Sequence, residues 1–469
     1  MKKNNKQKET HFDNTECKVN QLELQGLEIG KSRKIIVKND GKVNSSDAGF
    51  LLLQQVEQKH RIIEKLSDFF TDNRDQEKIT HSLGALLKQR IFGICQGYED
   101  LNDHERLRDD PLLQYICGRD NKTPVAGKST LNRLELGHEL DEKLKDRYSK
   151  ITWDARGIED LLCQLFLDSF EGPPETLILD FDATDIPIHG EQQKRFFHGY
   201  YDHYCYLPLY VFCDDFPLIA RLRPSSLEAC DGTEEILVKL VGAIRARFPD
   251  VRIIFRGDSG FCRESILKQC EILKIRYITG MAGNKRLLEK IDPQMVKAEK
   301  LFGKSGEAER VFTRFSWKTR SSWSRNRNVI AKAEQLPGKK NPRFIVTDIP
   351  AEEGDARSLY EEVYCARGDM ENRIKEQQLY LFADRTSTWW MSSNQLRLYF
   401  STIAYIFFVH LRKTIRQVSN DEIRIMSSTI RLRMLKVSAA VKITVRRVWI
   451  SLPESFPWWD IWIRTSRAI

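Results

Sequence analysis

The stretch "LILDFDATDIP", Leu177 to Pro187, sets Asp180, Asp182 and Asp185 on a run that otherwise reads as a buried strand. Asp180 and Asp182 are two apart and share a strand face, whereas Asp185, beyond Thr184, points elsewhere or caps a turn. Charge in a core is costly unless it is paired or holds a metal. A further acid, Asp258 in "IIFRGDSGF", closes another apolar strand just before Ser259 and Gly260. Ligands of open α/β sheets bind outside the carboxyl ends of the strands. Carboxylates on neighbouring strand ends suit a hard cation such as Mg2+ or Mn2+. Taken singly, each also reads as a strand-end turn former.

A third acid would complete such a site. The helical stretch "DARSLYEEVYCARGDMENRIKEQQ" offers Glu361, Glu362, Asp369, Glu371 and Glu376. Tyr364, Arg367, Glu371 and Gln378 share one helix face, and Lys375 joins it at i+4 from Glu371, while Glu376 lies well round the helix. If that face meets the aspartates, Glu371 reaches the cation, and Arg367 and Lys375 can hold phosphate oxygens. A solvated helix with Glu371 paired to Lys375 satisfies the same spacing. Three histidines, His189, His198 and His203, are irregularly spaced among turn residues, which favours a loop beside the site over a zinc centre. "GKST" at 127–130 resembles a phosphate loop, but that loop needs glycine where Lys122 stands, so no nucleotide site is expected. Ser129 or Thr130 is expected to cap a short helix that exposes Arg133, either to DNA or simply on a bundle surface.

These residues need a scaffold. The chain has 469 residues and a net charge of +9, enough for a large core and compatible with a nucleic-acid partner. Ten cysteines without a C-x-x-C pair argue against a disulfide framework and for a reducing compartment. The charged N-terminus has no apolar run behind it, and the longest apolar stretch, Leu398 to Val409, falls short of the roughly twenty residues a membrane span needs. Residues 1–45 read as a flexible basic tail with a short strand, and 46–150 as a helical domain. From 151 to 290, strands alternate with helices in an α/β core with partly parallel strands. Residues 291–350 read as a small β-rich insertion holding Trp317 and Trp323, 351–400 return to the core with the Glu371 helix, and 401–469 form a mainly helical basic segment.

The order Asp182, Asp258, β insertion, Glu371 resembles the Asp-Asp-Glu (DDE) transposases, which use an RNase H-like core. "GYEDLNDHERLRDDPLL", "STLNRLE", "RGDSGF", "ENRIKE", "LFADRTS" and "NQLRLYF" are similar to stretches of the insertion-sequence thirteen-eighty family of bacterial transposases, over residues 40 to the C-terminus. The resemblance implies an Asp-x-Thr strand end, which selects Asp182 and leaves Asp180 in reserve. It also implies a Tyr-x2-Arg-x3-Glu-x6-Lys signature, met by Tyr364, Arg367 and Glu371 but with Gln378 in place of lysine. Asp182, Asp258 and Glu371 would then hold two Mg2+ ions (Mn2+ as substitute) for phosphoryl transfer. The protein would act in the bacterial cytoplasm, with the nucleoid, as a homodimer when two DNA ends are joined. Residues 46–150, Arg133 among them, would bind the terminal inverted repeats. Trp317 or Trp323 would stack on an unpaired base or fill a small core, and the basic C-terminal segment would contact phosphates of end and target DNA. A catalytically impaired or domesticated DNA-binding derivative is the alternative the resemblance leaves, and Gln378 is the feature that favours it.

Overall fold

A computed structural model describes residues 21–24, 35–38, 43–119, 123–139, 150–419 and 425–469. Most of the expected N-terminal tail lies outside these residues; its described part is an antiparallel strand pair, Gln21–Leu24 with Ile35–Lys38.

A large mixed sheet is built from β1 (Thr176–Ala183), β2 (Leu209–Cys213), β3 (Phe216–Arg221), β4 (Arg252–Gly257), β5 (Arg276–Met281), β6 (Glu309–Trp317), β7 (Arg327–Leu336), β8 (Lys339–Lys340) and β9 (Arg343–Thr347). Their order in space is β3-β2-β1-β4-β5-β9-β7-β6, with β8 on β7. β1, β4 and β5 run parallel, and the other pairings are antiparallel. Strands β6, β7 and β9, with the helix Asp292–Ser305 before them, make up the expected β insertion; they continue the central sheet rather than forming a sheet of their own.

Strand parity explains how β1 is used. Leu177, Leu179 and Phe181 face the main core, where Phe181 packs against Phe255 and Phe261. Ile178 faces the opposite side, where Ile254, Ile278, Ile330 and Ile345 meet Leu359 and Tyr360. Asp180 and Asp182 alternate with the apolar residues and share the Ile178 side. The helical run that carries Glu371 begins against that second cluster.

The N-terminal helices include Phe50–His60, Leu83–Gln96 and Lys128–Glu135. Neither Ser129 nor Thr130 caps the last of these: Gly127 is its N-cap, and Lys128 N donates to Glu105 Oε1 at 2.7 Å. The helix Met391–Val418 contains the apolar stretch read as a buried helix, and packs on Leu83–Gln96, on β3 and on the final helix Trp459–Ala468. Phe407 meets Phe92 edge-on at 5.4 Å in that packing. Among the described residues no helix is long and apolar enough to cross a membrane. The C-terminal segment is less helical than its sequence suggests, because a β-hairpin, Ala439–Ile443 with Val448–Ser451, stands between its helices.

Candidate active site

β1 delivers Asp182 one residue before its end, and β4 delivers Asp258 one residue past its end. The two strands are parallel neighbours, with Gly257 opposite Phe181, so both carboxylates emerge at the same edge. Asp258 also begins a single 3-10 turn, its Oδ1 accepting from Gly260 N at 2.8 Å. Its role as a turn former and its place at the site therefore coexist.

The helical run from Ala356 to Leu381 is not uniform. It passes through a π segment, Leu359–Tyr364, and a 3-10 turn, Cys365–Arg367, before the α-helix Gly368–Leu381. Such π segments are rare and recur at functional sites. Gly280 on β5 lets Tyr364 approach: a Cβ there would lie 2.6 Å from Tyr364 Oη and 2.8 Å from Ser259 N.

Arg367 joins the acids. Its Nη2 donates to Glu371 Oε1 at 2.5 Å, and its Nη1 lies 3.4 Å from Asp182 Oδ2. In place of the alternative Glu371–Lys375 pairing, Glu371 pairs with Arg367, and Lys375 is exposed. Burial pushes the Asp182 carboxyl up to about 7; Arg367 opposes this, while the charges of Asp258 and Glu371 add to it. The three acids therefore act on one another electrostatically. Nη1 of Arg367 is buried and faces Asp182 without forming a hydrogen bond.

Glu376 has a different job. It is buried, takes a 2.6 Å bond from Arg412 Nη2, and accepts from Ser427 N at 3.0 Å and Ser427 Oγ at 2.6 Å. Gln378 reaches across to donate to the Asp185 carbonyl at 3.4 Å, and the Asp185 carboxylate pairs with His203 Nε2 at 2.8 Å. That hydrogen bond puts Gln378 beside the chain leaving β1. Among the described residues His189, His198 and His203 form no metal cluster.

Asp180, the reserve carboxylate, is already committed. Arg256 Nε and Nη2 donate to its two oxygens, the second at 2.6 Å, and Arg256 Nη1 donates to the Val363 carbonyl. Both side chains are buried. One guanidinium thus ties the strand of Asp182, the strand of Asp258 and the run leading to Glu371. Sequence reading passed over Arg256. The available signal was its parity: it lies two residues before Asp258 and stands opposite Asp180 in the parallel pairing.

Of the two alternatives left open for the tryptophans, Trp323 fits the core one. Trp323 is buried, 4% exposed, with Arg327 5.4 Å from its ring centre, so it is a core residue and has no face for a base. Trp317 is half-buried, with Arg286 4.7 Å over its ring. The surrounding cations are also engaged: Arg310 with Glu334 and Glu361, Arg325 with Glu271, and Arg327 with Glu264. Arg133 is exposed and lines an open cleft with Arg74, Lys78, His81 and Lys150, far along the chain from the acids.

Carboxylate oxygens that raise one another's proton affinity suit a divalent cation in donor type and in charge. As the side chains are placed, no group of three among the described residues could hold an ion, and Arg367 bridges Asp182 and Glu371.

A family model described as transposase DDE domain group 1 matches residues 27–469. No curated protein matches the chain. Among solved structures it is similar to a piggyBac transposase in a cryo-EM synaptic complex with hairpin DNA, at 12% identity and a TM-score of 0.39, over 82% of this chain and 78% of that one.

Proposed function

The chain belongs to the transposase DDE domain group 1 family, and we propose that it binds the terminal inverted repeats of its own insertion sequence, cuts the DNA ends and joins them to target DNA. Transposases of this class are in general DNA nucleases and strand transferases that use divalent metal ions. For this chain we infer Mg2+, held as two ions by Asp182, Asp258 and Glu371. The finer kinship we propose is with the bacterial insertion-sequence thirteen-eighty family. The strand order β3-β2-β1-β4-β5, antiparallel then parallel, supports an RNase H-like reading of the core. In this reading residues 46–150 bind the DNA ends and two copies act together at the joined ends.

The observation that carries the proposal is the mutual field of the three acids, with Arg367 between two of them. When bound, the ions would supply stabilisation of negative charge on the attacking and leaving oxygens of an in-line displacement. The chain's own residues do the positioning. Arg367, once released from Glu371, presents its Nη1, ion-paired with Asp182 but without a hydrogen bond, to a phosphate oxygen, where a guanidinium binds with fixed geometry. Tyr364 closes onto Gly280 three residues before Arg367. Gln378 contributes an amide where the family signature has a lysine, keeping a donor and giving up a charge.

The test is cleavage of a duplex carrying the DNA that flanks the reading frame, with Mg2+ or Mn2+. Asp182→Ala, Asp258→Ala and Glu371→Ala are each expected to abolish cutting while DNA binding persists. Cutting by the Glu371→Ala protein at the parent's rate would remove the proposal's basis. Binding in EDTA with no cleavage by the parent in either metal would favour the impaired derivative.

A further inference from the structure

The basic C-terminal segment is expected to contact phosphates, yet the fold has engaged most of its cations internally. Arg412 pairs with Glu376, and Arg416 with Asp215. Arg431 donates to the carbonyls of Cys95 and Ile94. Arg433 lies over the Trp458 ring, and Lys436 pairs with Asp47. Lys413 and Arg464 donate to the carbonyls of Ser169 and Val418. These residues serve the core and its seams.

Lys442, Arg446 and Arg447 are different. All three are exposed, and among the described residues no carboxylate pairs with any of them. They sit on one hairpin, Ala439–Ile443 with Val448–Ser451, whose other edge is held by Asn44–Ser45. Its tip is Thr444-Val445-Arg446-Arg447. The tip is fixed: Thr444 N and Oγ1 donate to the Arg447 carbonyl at 2.9 and 2.8 Å, and Arg447 N donates to Thr444 Oγ1 at 3.0 Å. Val445 is fully exposed at its apex, so it contributes nothing to the protein's own packing. Trp449, opposite Lys442, is 53% exposed, with the Arg447 guanidinium 5.7 Å from its ring centre.

We propose that this hairpin is a DNA-docking element, its tip entering a groove of the duplex. The proposal rests on the transposase reading above and goes beyond it by naming the contact. A two-stranded ribbon fits a DNA groove. The cations would meet the phosphates on either side, and Val445 would sit against sugars and base edges in the groove, as apolar tips of groove-binding proteins do. The short tip has a fixed backbone in the free protein, and the acids that neutralise the neighbouring arginines are missing here.

The experiment uses the full-length protein and a fluorescein-labelled mixed-sequence duplex, with affinity measured across a salt series. Each phosphate contact contributes about −0.9 to the slope of log affinity against log salt. Arg446→Ala with Arg447→Ala is therefore expected to make the slope about 1.8 units shallower. Between 50 and 200 mM salt the parent would then lose about twelvefold more affinity than the double variant. The melting temperature should stay that of the parent, because neither side chain has an internal acid partner. Val445→Asp is expected to weaken binding with folding unchanged, through repulsion of the groove. A parent slope retained by the double variant, or full affinity in Val445→Asp, overturns the proposal. A parent that shows no salt-sensitive binding at all overturns the transposase reading and this proposal with it. Asp182→Ala separates the two, since it should keep the parent's slope while losing cleavage.

Discussion

Replacing Arg256 with methionine would remove the partner of Asp180 and leave a side chain of comparable length. Both charged groups are buried, and the guanidinium bonds both carboxylate oxygens and the Val363 carbonyl. Water cannot take its place at such a position. Breaking a buried pair from one side costs about 3–5 kcal/mol, because one charge is left uncompensated. Burial already pushes the Asp180 carboxyl up, and Arg256 is the main influence holding it down. Without Arg256 the carboxyl rises further above its unfolded value. The lost stability is then least at pH below the unfolded carboxylate range and grows as pH rises toward neutrality. For 469 residues the unfolding entropy is about 1 kcal/mol per degree, so the melting temperature should fall by about 3–5 °C. Adding Asp180→Leu removes the orphan charge, and the double variant should recover most of the loss, since an apolar pair in place of a buried ion pair is often neutral. Calorimetry on the parent, the single and the double variant measures this directly. An Arg256→Met protein that melts with the parent, or a double variant no better than the single, would refute the clamp.

Glu376→Ala should lower the melting temperature, because Arg412 and Ser427 lose their common acceptor, whereas Glu371→Ala should melt with the parent and fail to cut; thermal melts beside the cleavage assay distinguish them. Gly280→Ala should slow cleavage with a modest loss of stability, because its Cβ meets Tyr364 Oη and the Ser259 backbone; the rate at saturating DNA reads the effect. His410, stacked 3.8 Å from His60, is held neutral by burial, its pKa lowered to about 3. The unfolded chain takes up a proton there near pH 6.5 and the folded chain does not, so stability falls as pH drops from about 6.5 toward 3. Urea titrations should show this loss reduced in His410→Phe.

The strands that carry Asp182 and Asp258 were legible because their signal is local. Alternation in "LILDFDAT" gives β1 its two faces, and "IIFRGDSG" carries its own strand end. Helical spacing separated Glu371 from Glu376, and the structure gives the two acids different surroundings. What escaped the sequence depends on distant partners. β6, β7 and β9 read as strands, but their continuity with the central sheet rests on β5 pairing with β9, a register no local pattern encodes. Sequence left Trp323 open between stacking and core filling because its exposure is set by Arg327 and Thr319 rather than by its own neighbours. The cations after residue 410 looked like one basic surface, yet charge composition does not tell an arginine inside a carboxylate network from one at a hairpin tip.

The helix Met391–Val418 is a shared spine: the N-terminal helices, the sheet and the last helix all lean on it. Truncation is therefore a severe lesion in this chain. A stop codon ahead of residue 391 would spare all three acids in the reading frame, yet it would leave Phe92, Phe212 and their neighbours without the wall they pack on. Shortened copies should be unfolded and degraded rather than persist as competitors of the intact protein. Interference by a damaged copy would then have to come from substitutions at the acids, which keep the spine.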